Sequence, residues 1–248
     1  MISQNTLQSL AKKYQTSEFP NVIREYFQHL FLSNLYKLEG SEKLLFKGGT
    51  ALRIIYGSPR FSEDLDFSIV DLRQSQYIKF IEDIFTKTLS EIELMGVSVK
   101  LGAKPGPTKE GYYADASFRI YDYPLTIVSI NISGRNKSAA TEIDLIPNDF
   151  VTAYNIYHLS QKELVEEKVF GALLSRKKPR DFYDLYFIMR KGVLDPEQKH
   201  RLKEKSGFIK SAAEEIDFKK ELSVFLPADQ QMIVKNFKAN FIRELNNQ

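Results

Sequence analysis

The sequence predicts an α+β fold in which a mixed α+β half is followed by an all-helical half. Before Pro147, short segments rich in strand-forming residues occur among segments of helical periodicity. After Pro147 the pattern changes, and from the segment SQKELVEEKVFGALLSR onward nearly every segment has helical periodicity. We therefore predict two domains: residues 1–148, which contain the sheet and the N-terminal helices, and residues 149–248, which form a helical bundle.

The first half is predicted to begin with helices and then to alternate between strands and helices. Apolar residues from Val22 to Leu38 keep the helical period, and Gly40 is a stop signal. The segments KLLF (residues 43–46) and LDFSIV (residues 65–70) predict strands, and the segment GTALRIIYG between them predicts a helix that ends at Gly57. A further helix is predicted over residues 76–94.

Four more strands are predicted from the segments VSVKLG, YYADASFRI, LTIVSINIS and TEIDLI. Residues 103–111 (AKPGPTKEG) separate the first two, and their Gly, Pro and Lys content predicts a mobile connector of the kind that closes over ligands. The helical half is predicted to run through KELVEEKVFGALLSR, RDFYDLYFIMR, PEQKHRLKEK and MIVKNFKANFIREL.

Composition excludes several classes of function. The chain has 248 residues and no Cys, which rules out disulfides, zinc–thiolate sites and cysteine nucleophiles. No apolar run is long enough for a membrane span, and the N-terminus lacks a signal-peptide core, so we expect a cytoplasmic protein. The three histidines lie far apart and are interpreted as packing or surface residues.

Net charge does not identify a partner. A formal net charge of +3 is too small to indicate a nucleic-acid-binding protein. Two basic clusters, SRKKPR (residues 175–180) and KHRLKEK (residues 199–205), are interpreted either as solvated helix faces or as contacts to a polyanion.

The strongest candidate site combines a glycine turn with a carboxylate pair. Gly48, Gly49 and Thr50 follow a predicted strand and open a helix, where backbone N–H groups can approach an anion closely. Asp64 and Asp66 flank Leu65 at the start of the next strand, so both carboxylates share one face of the sheet. Such a pair repels itself unless a cation lies between, and hard oxygen ligands suit Mg²⁺. Together the two motifs predict a site for a metal-bound polyphosphate.

This region resembles a known family. The string FKGGTALRIIYGSPRFSEDLDF is similar to the AbiEii/AbiGii-type toxins of abortive-infection toxin–antitoxin systems, which belong to the polymerase-beta-type nucleotidyltransferase superfamily. The resemblance implies a nucleotidyltransferase-type mixed sheet with flanking helices, followed by a helical bundle. It places Gly48, Gly49 and Thr50 on the phosphates of an NTP, and Asp64 and Asp66 on Mg²⁺. Ser62 matches the residue ahead of the metal aspartates, although a turn-forming Ser explains it equally well.

The helical half carries a second motif of the same family. Lys168 borders an apolar stripe and precedes the segment RKKPRDFYDL, and a lysine there either snorkels, pairs with a carboxylate or serves a site. The resemblance implies that Lys168 neutralises triphosphate charge and that Asp184 or Asp181 orients Lys168 or the incoming substrate. Arg176 and Arg180 become candidates for phosphate or acceptor contacts. We interpret Asp181, which follows Pro179, as a helix cap, and Asp184 as a site residue.

One feature of the superfamily is missing. Many members carry a third acidic residue on a later strand, but LTIVSINIS offers only Ser129 and Asn131 there. Asp115 and Asp144 are the substitutes to be considered. The general base is therefore not assigned from the sequence.

The favoured hypothesis is Mg²⁺-dependent transfer of an NMP from an NTP to an acceptor hydroxyl. The resemblance makes the acceptor an RNA 3′ end, such as that of tRNA, or a protein hydroxyl, and it implies a toxin with a cognate antitoxin. Two alternatives stay open: a non-catalytic nucleotide- or RNA-binding module, and kinase-like transfer of the γ-phosphoryl group.

Overall fold

A computed structural model describes residues 1–102, 105–108, 111–135 and 139–248. The chain divides into two compact units. The first unit consists of residues 1–57 and 61–159, and the second consists of residues 58–60 and 160–248. The short segment Ser58–Arg60 thus belongs to the second unit, although the chain on both sides of it belongs to the first.

The first unit is built on a mixed sheet. Its strands among the described residues are β1 (Leu44–Lys47), β2 (Leu65–Ile69), β3 (Ser98–Leu101), β4 (Gly106–Thr108), β5 (Gly111–Arg119), β6 (Thr126–Ser133), β7 (Thr141–Ile146) and β8 (Tyr154–Leu159). The spatial order is β3-β5-β6-β2-β1-β8-β7, and β4 pairs with β5. The pairs β1–β8 and β2–β6 are parallel and the others are antiparallel.

The sheet has one face packed on helices. The α-helices among the described residues of the first unit are α1 (Gln4–Lys13), α2 (Ile23–Leu35), α3 (Gly48–Ile54) and α4 (Tyr77–Leu94). Phe27 of α2 stacks on Phe118 of β5, with 4.6 Å between the ring centroids. Leu65 and Phe67 of β2 are fully buried, whereas Asp66 between them is half-buried. Because side chains alternate along a strand, Asp66 points away from the helix-covered face.

Helix α2 shows how much of this unit is core. All but one of its residues are buried, including the polar His29. Burial, aided by the charge of Arg53, lowers the pKa of His29 to about 3, and His29 Nδ1 lies 2.9 Å from the Tyr154 hydroxyl. The interpretation of this histidine as a packing residue agrees with that environment.

The second unit is helical. Residues from Ser160 to Gln248 are all described and contain no strand. Its helices are α5 (Gln161–Val165), a π-helical segment (Glu166–Leu173), α6 (Leu174–Arg176), α7 (Pro179–Lys191), α8 (Pro196–Glu214), α9 (Phe218–Phe225), α10 (Gln231–Lys235) and α11 (Phe237–Asn246). Aromatic rings of α7, α9 and α11 form its core, and Phe182 packs against both Phe218 and Phe241. The predicted continuous helix over MIVKNFKANFIREL is broken at Asn236, between α10 and α11.

The α+β class is confirmed, and so are the strands predicted from KLLF, LDFSIV, VSVKLG, YYADASFRI, LTIVSINIS and TEIDLI. The expectation that the chain is helical after Pro147 is wrong over residues 154–159, which form β8. Every second residue from position 154 is buried there, namely Tyr154, Ile156 and His158. This strand period extends over only six residues, so it is easy to miss in the sequence. We propose that the domain boundary lies near residue 159, where the compact units divide, and not at 148.

The connector predicted over residues 103–111 is described only in part. Residues 103, 104, 109 and 110 lie outside the described residues, so the predicted mobility stays a prediction. Gly106–Thr108, in contrast, form β4 and pair with residues 111–113 of β5.

Candidate active site

The glycine turn and the second aspartate meet in the first unit. Gly48 joins β1 to α3 with a φ of +87°, in the left-handed region that favours glycine. A Cβ at this position would lie only 2.2 Å from Asp66 Oδ2. The fold therefore needs glycine here for two reasons, backbone conformation and the close approach of a carboxylate.

Asp66 lies in a row of polar residues across neighbouring strands. The strand register places Lys47 of β1 and Asn131 of β6 beside it. Asn131 Nδ2 donates a hydrogen bond of 3.1 Å to Asp66 Oδ1. The amide thus orients the carboxylate from the strand on which the superfamily resemblance predicts a third acidic residue.

The segment before β2 is tied to the rest of the first unit at several points. The Thr50 hydroxyl donates to the backbone carbonyl of Asp64, and Thr50 is fully buried. Gln28 Nε2 donates to the carbonyl of Ser62 at 3.0 Å, and Arg24 lies 3.4 Å from Glu63. The Thr50 hydroxyl therefore connects the glycine turn to Asp64.

Asp115 lies on the same face of the sheet as Asp66. Asp115 pairs with Ser129 of β6, two residues before Asn131, so these side chains have the same orientation. Asp115 Oδ1 accepts hydrogen bonds of 2.7 Å from both the Ser129 and the Tyr113 hydroxyls. Of the two substitutes for the third acidic residue, Asp115 therefore lies on the face of Asp66.

Asp144 is not. The register from β7 through β8 and β1 to β2 places Asp144 on the face opposite Asp66. Its Oδ2 lies 3.1 Å from Nε2 of the fully buried His158, whose Nδ1 lies 2.7 Å from the Leu159 carbonyl. Asp144 therefore contacts a buried histidine at the far end of the sheet.

In the second unit, Lys168 and Asp184 form a buried cluster with an arginine. Lys168 lies in the π-helical segment, a geometry that recurs at functional sites. Its Nζ donates to Asp184 Oδ2 at 2.9 Å. Arg60 also holds Asp184, with Nε 2.9 Å from Oδ1 and Nη2 3.1 Å from Oδ2. The side chains of Arg60, Asp184 and Lys168 are 3%, 1% and 11% exposed.

The charges of this cluster determine the ionisation of Asp184. Burial alone would raise the pKa of the carboxyl group, but the charges and hydrogen bonds of Arg60 and Lys168 outweigh it and hold the pKa below its ordinary value. Asp184 is therefore a carboxylate with both oxygens engaged, and it is suited to orienting Lys168.

The other candidates of the helical half are Asp181, Arg176 and Arg180, and each of them lies in an ion pair. Asp181 caps α7, as predicted: its Oδ2 accepts from the Lys178 backbone N–H at 3.2 Å. Asp181 Oδ1 also accepts from Arg176 at 2.5 Å, and the Arg176 side chain is 47% exposed. Arg180 forms a longer ion pair of 3.6 Å with Glu221.

The role of Arg60 has no counterpart in the sequence motifs. Its partner is 124 residues away along the chain, and only the fold brings the two together. The available signal is weak: an arginine next to the Gly-Ser-Pro break, four residues before Asp64, in a segment otherwise interpreted as scaffold.

The carboxylates of the site suit a metal ion that is also coordinated by oxygens of a bound substrate. Among the described residues, no group of three or more His, Asp and Glu side chains is placed to hold a metal ion. Two carboxylates with phosphate oxygens and water, however, are an ordinary ligand set for Mg²⁺. No helix within the described ranges is both long and apolar enough to cross a membrane.

Comparisons with known proteins agree with a nucleotidyltransferase fold. The chain is similar to a crystal structure from H. pylori that is described as a proposed nucleotidyltransferase. The TM-score is 0.66 at 19% sequence identity, and the match covers 92% of this chain and 94% of that one. The crystal structure of JHP933 from Helicobacter pylori gives a TM-score of 0.65 at 18% identity and covers 100% of this chain and 93% of that one. No curated protein matches the sequence.

The family follows from the sequence. The model of the family described as "Nucleotidyl transferase AbiEii toxin, Type IV TA system" matches residues 30–245. The chain belongs to this family of nucleotidyltransferase toxins, as the resemblance implied, and the family's type IV toxin–antitoxin assignment implies an antitoxin partner.

Proposed function

We propose that this protein transfers an NMP from an NTP to an acceptor hydroxyl in a Mg²⁺-dependent reaction. The observation that carries the proposal is the contact between Gly48 and Asp66. Gly48 has a left-handed backbone and lies against the Asp66 carboxylate, a proximity that would bring a phosphate-binding turn and a metal ligand together. Membership in a nucleotidyltransferase family supports the same chemistry.

Asp64 and Asp66 would hold the metal together with oxygens of the NTP. The predominance of carboxylate oxygens and the lack of Cys favour Mg²⁺ over a softer metal. When bound, Mg²⁺ would supply positive charge to the phosphate oxygens and orient the substrate. Asn131 would keep the Asp66 carboxylate in a fixed orientation through its amide hydrogen bond.

The remaining residues serve the substrates. Backbone N–H groups at Gly48 and Gly49 bind phosphate oxygens at the turn. The segment that leads to Asp64 is fixed by two hydrogen bonds, from the Thr50 hydroxyl to the Asp64 carbonyl and from Gln28 to the Ser62 carbonyl. Lys168 neutralises phosphate charge and Asp184 orients it.

In the reaction, the acceptor oxygen forms a bond with the α-phosphorus while the bond from that phosphorus to the bridging oxygen breaks. Pyrophosphate leaves and the hydroxyl proton passes to a base. We propose Asp115 as that base, because it is on the face of Asp66 and its Oδ1 is fixed by two hydroxyl donors.

The acceptor we propose is an RNA 3′ end such as that of tRNA, with a protein hydroxyl as the alternative. Arg176 and Arg180 are our candidates for acceptor contacts, and Arg176 has the more exposed side chain of the two. Either arginine would exchange its carboxylate partner for a phosphate of the acceptor.

The test is a transfer assay with α-labelled NTPs, Mg²⁺ and either bulk RNA or bulk protein. We expect label on one acceptor class, release of pyrophosphate, and loss of transfer in Asp64→Ala. The matched control is Asp83→Ala, which removes an exposed carboxylate from α4 and leaves transfer intact. No transfer to either class, or equal transfer by Asp64→Ala, contradicts the proposal.

The same assay separates the alternatives. Transfer of label from γ-labelled NTP with release of a nucleoside diphosphate identifies a kinase-like reaction. Nucleotide binding without turnover identifies a non-catalytic module. This alternative is favoured by Asn131, because an amide lies beside Asp66 on the strand where the superfamily resemblance predicts an acidic residue. Toxicity is tested by induced expression, which should arrest growth with the wild-type chain, should not do so with Asp64→Ala, and should be relieved by the cognate antitoxin.

A further inference from the structure

The cluster of Arg60, Asp184 and Lys168 contains more donors than its carboxylate can use. An ammonium group has three N–H donors. Within the described ranges, the structure gives Lys168 Nζ one hydrogen-bond partner, Asp184 Oδ2 at 2.9 Å. The side chain is 11% exposed, so the ammonium is largely removed from water. A mostly buried ammonium with donors to spare is suited to an anionic ligand.

Arg60 determines how Asp184 can hold that ammonium. The guanidinium is a rigid fork, and its Nε and Nη2 atoms engage Oδ1 and Oδ2 at 2.9 and 3.1 Å. Nη2 also lies 2.8 Å from Oδ1. A carboxylate held on both oxygens keeps one orientation, and only Oδ2 is shared with Lys168.

We propose that Arg60 is a positioning residue for nucleotide binding: it fixes Asp184 so that Lys168 is held by one N–H and offers the others to a phosphate of the NTP. This inference rests on the proposed function. Without the fork, the carboxylate turns and pairs more completely with Lys168, which then has less charge and fewer donors for a phosphate.

The first unit supplies a matched control. Arg53 makes a similar forked pair with Glu25, with distances of 2.8 and 2.7 Å and side-chain exposures of 10% and 8%. Loss of the fork at Arg53 removes a comparable ion pair that includes no lysine. Arg53→Lys and Arg60→Lys should therefore cost similar stability, and only the second should act through Lys168.

The experiment measures dissociation constants of each of the four NTPs with Mg²⁺ by equilibrium titration. We expect Lys168→Gln and Arg60→Lys each to raise the dissociation constant by about tenfold or more, the size of a hydrogen bond to a charged group. In the Lys168→Gln background, Arg60→Lys should change it by less than about twofold, because the residue it positions is gone. Arg53→Lys should have the same effect in both backgrounds.

A purely structural role for Arg60 gives a different result. Arg60→Lys would then lower the melting temperature without changing the dissociation constant, or its effect would be undiminished in the Lys168→Gln background. Either outcome overturns the inference and leaves the proposed function standing if the wild-type protein still binds and transfers. If the wild-type protein binds none of the four NTPs, the proposed function fails and this inference fails with it.

A second variant tests the carboxylate itself, and it is measured at a low temperature at which circular dichroism shows the variant to be folded. Asp184→Asn keeps the shape of the side chain but removes the charge that holds Lys168 in place, and it should raise the dissociation constant, although by less than Lys168→Gln because the ammonium remains. A dissociation constant that stays at the wild-type value in folded Asp184→Asn contradicts the positioning of Lys168 through this carboxylate.

Discussion

Asp66 in the first unit and Asp184 in the second unit are carboxylates in opposite environments. Asp66 is half-buried, accepts from the neutral amide of Asn131 and lies against the backbone of Gly48. Asp184 is 1% exposed and is held by two cationic side chains, Arg60 and Lys168. The two differ in what they can offer a ligand.

A carboxylate beside a neutral donor keeps its negative charge available for a metal ion. A carboxylate held by two cations has its charge already neutralised, so it orients its partners instead. We therefore propose that the same residue type serves ligand binding in one unit and internal positioning in the other. This difference can be tested through stability, activity and pH dependence.

The largest expected effect is on stability at Asp184. Asp184→Asn leaves two buried cations without their counter-charge, and it should lower the free energy of unfolding by about 3–5 kcal/mol. Asp66→Asn removes charge from a half-buried site that contains a second carboxylate, so its stability should change by less than about 1 kcal/mol. Urea denaturation followed by circular dichroism measures both. Equal losses of stability in the two variants would remove the distinction between them.

The next effect is on activity at the glycine turn. In Gly48→Ala the new Cβ would lie 2.2 Å from Asp66 Oδ2, so the carboxylate must move. Displacement by about 1 Å at a reacting centre costs about 100-fold in rate, and we expect at least this loss of transfer. Gly57→Ala is the control, because Gly57 also has a positive φ, +77°, but a Cβ there meets nothing within 4 Å. A similar loss of transfer in Gly57→Ala would mean that backbone strain, and not contact with Asp66, is responsible.

The sequence can predict the first of these environments but not the second. The glycine turn and the aspartate pair lie close together along the chain, and strand alternation places Asp66 on the polar face. Arg60 and Asp184 are joined only by the tertiary fold, and a buried arginine in a loop has no periodic pattern. Local motifs are therefore visible in one sequence, whereas ion pairs between distant segments are not.

The same limit applies to the fold. Strands such as β2 and β6 are predictable because apolar and polar residues alternate in them. Strand β8 escapes prediction because it has only six residues, and its alternation of buried and less buried positions is interrupted at its end, where His158 and Leu159 are both buried. Its place in the sheet depends on its pairing with β1 and β7.

The pH dependence of stability should also differ between the units. The pKa of His29 in the first unit is lowered by burial from 6.5 to about 3, so the unfolded chain binds a proton that the folded chain does not. Stability from this group is complete above pH 6.5 and is lost as pH falls toward 3, by about 2 kcal/mol between pH 8 and pH 5. Asp184, whose pKa is lowered from 3.8, is ionised in both states over that range and contributes no slope.

Denaturation of the wild-type chain and His29→Gln at pH 8 and pH 5 checks this expectation. The variant should lose most of the difference between the two pH values, because glutamine does not titrate. If His29→Gln loses as much stability between pH 8 and pH 5 as the wild-type chain, groups other than His29 cause the acid sensitivity.

The smallest effect concerns the hydroxyl that connects the two motifs of the first unit. Thr50→Val removes the hydrogen bond to the Asp64 carbonyl and should cost about 1 kcal/mol of stability. Thr88→Val is the matched control, since the Thr88 hydroxyl is equally buried and donates to the Ile84 carbonyl within α4 at 2.8 Å. Both variants should be destabilised to a similar degree, but only Thr50→Val should also slow transfer, because only Thr50 holds a residue of the carboxylate pair. Equal transfer rates in the two variants would show that Asp64 keeps its position without this contact, and the glycine turn would then act on the site through Asp66 alone.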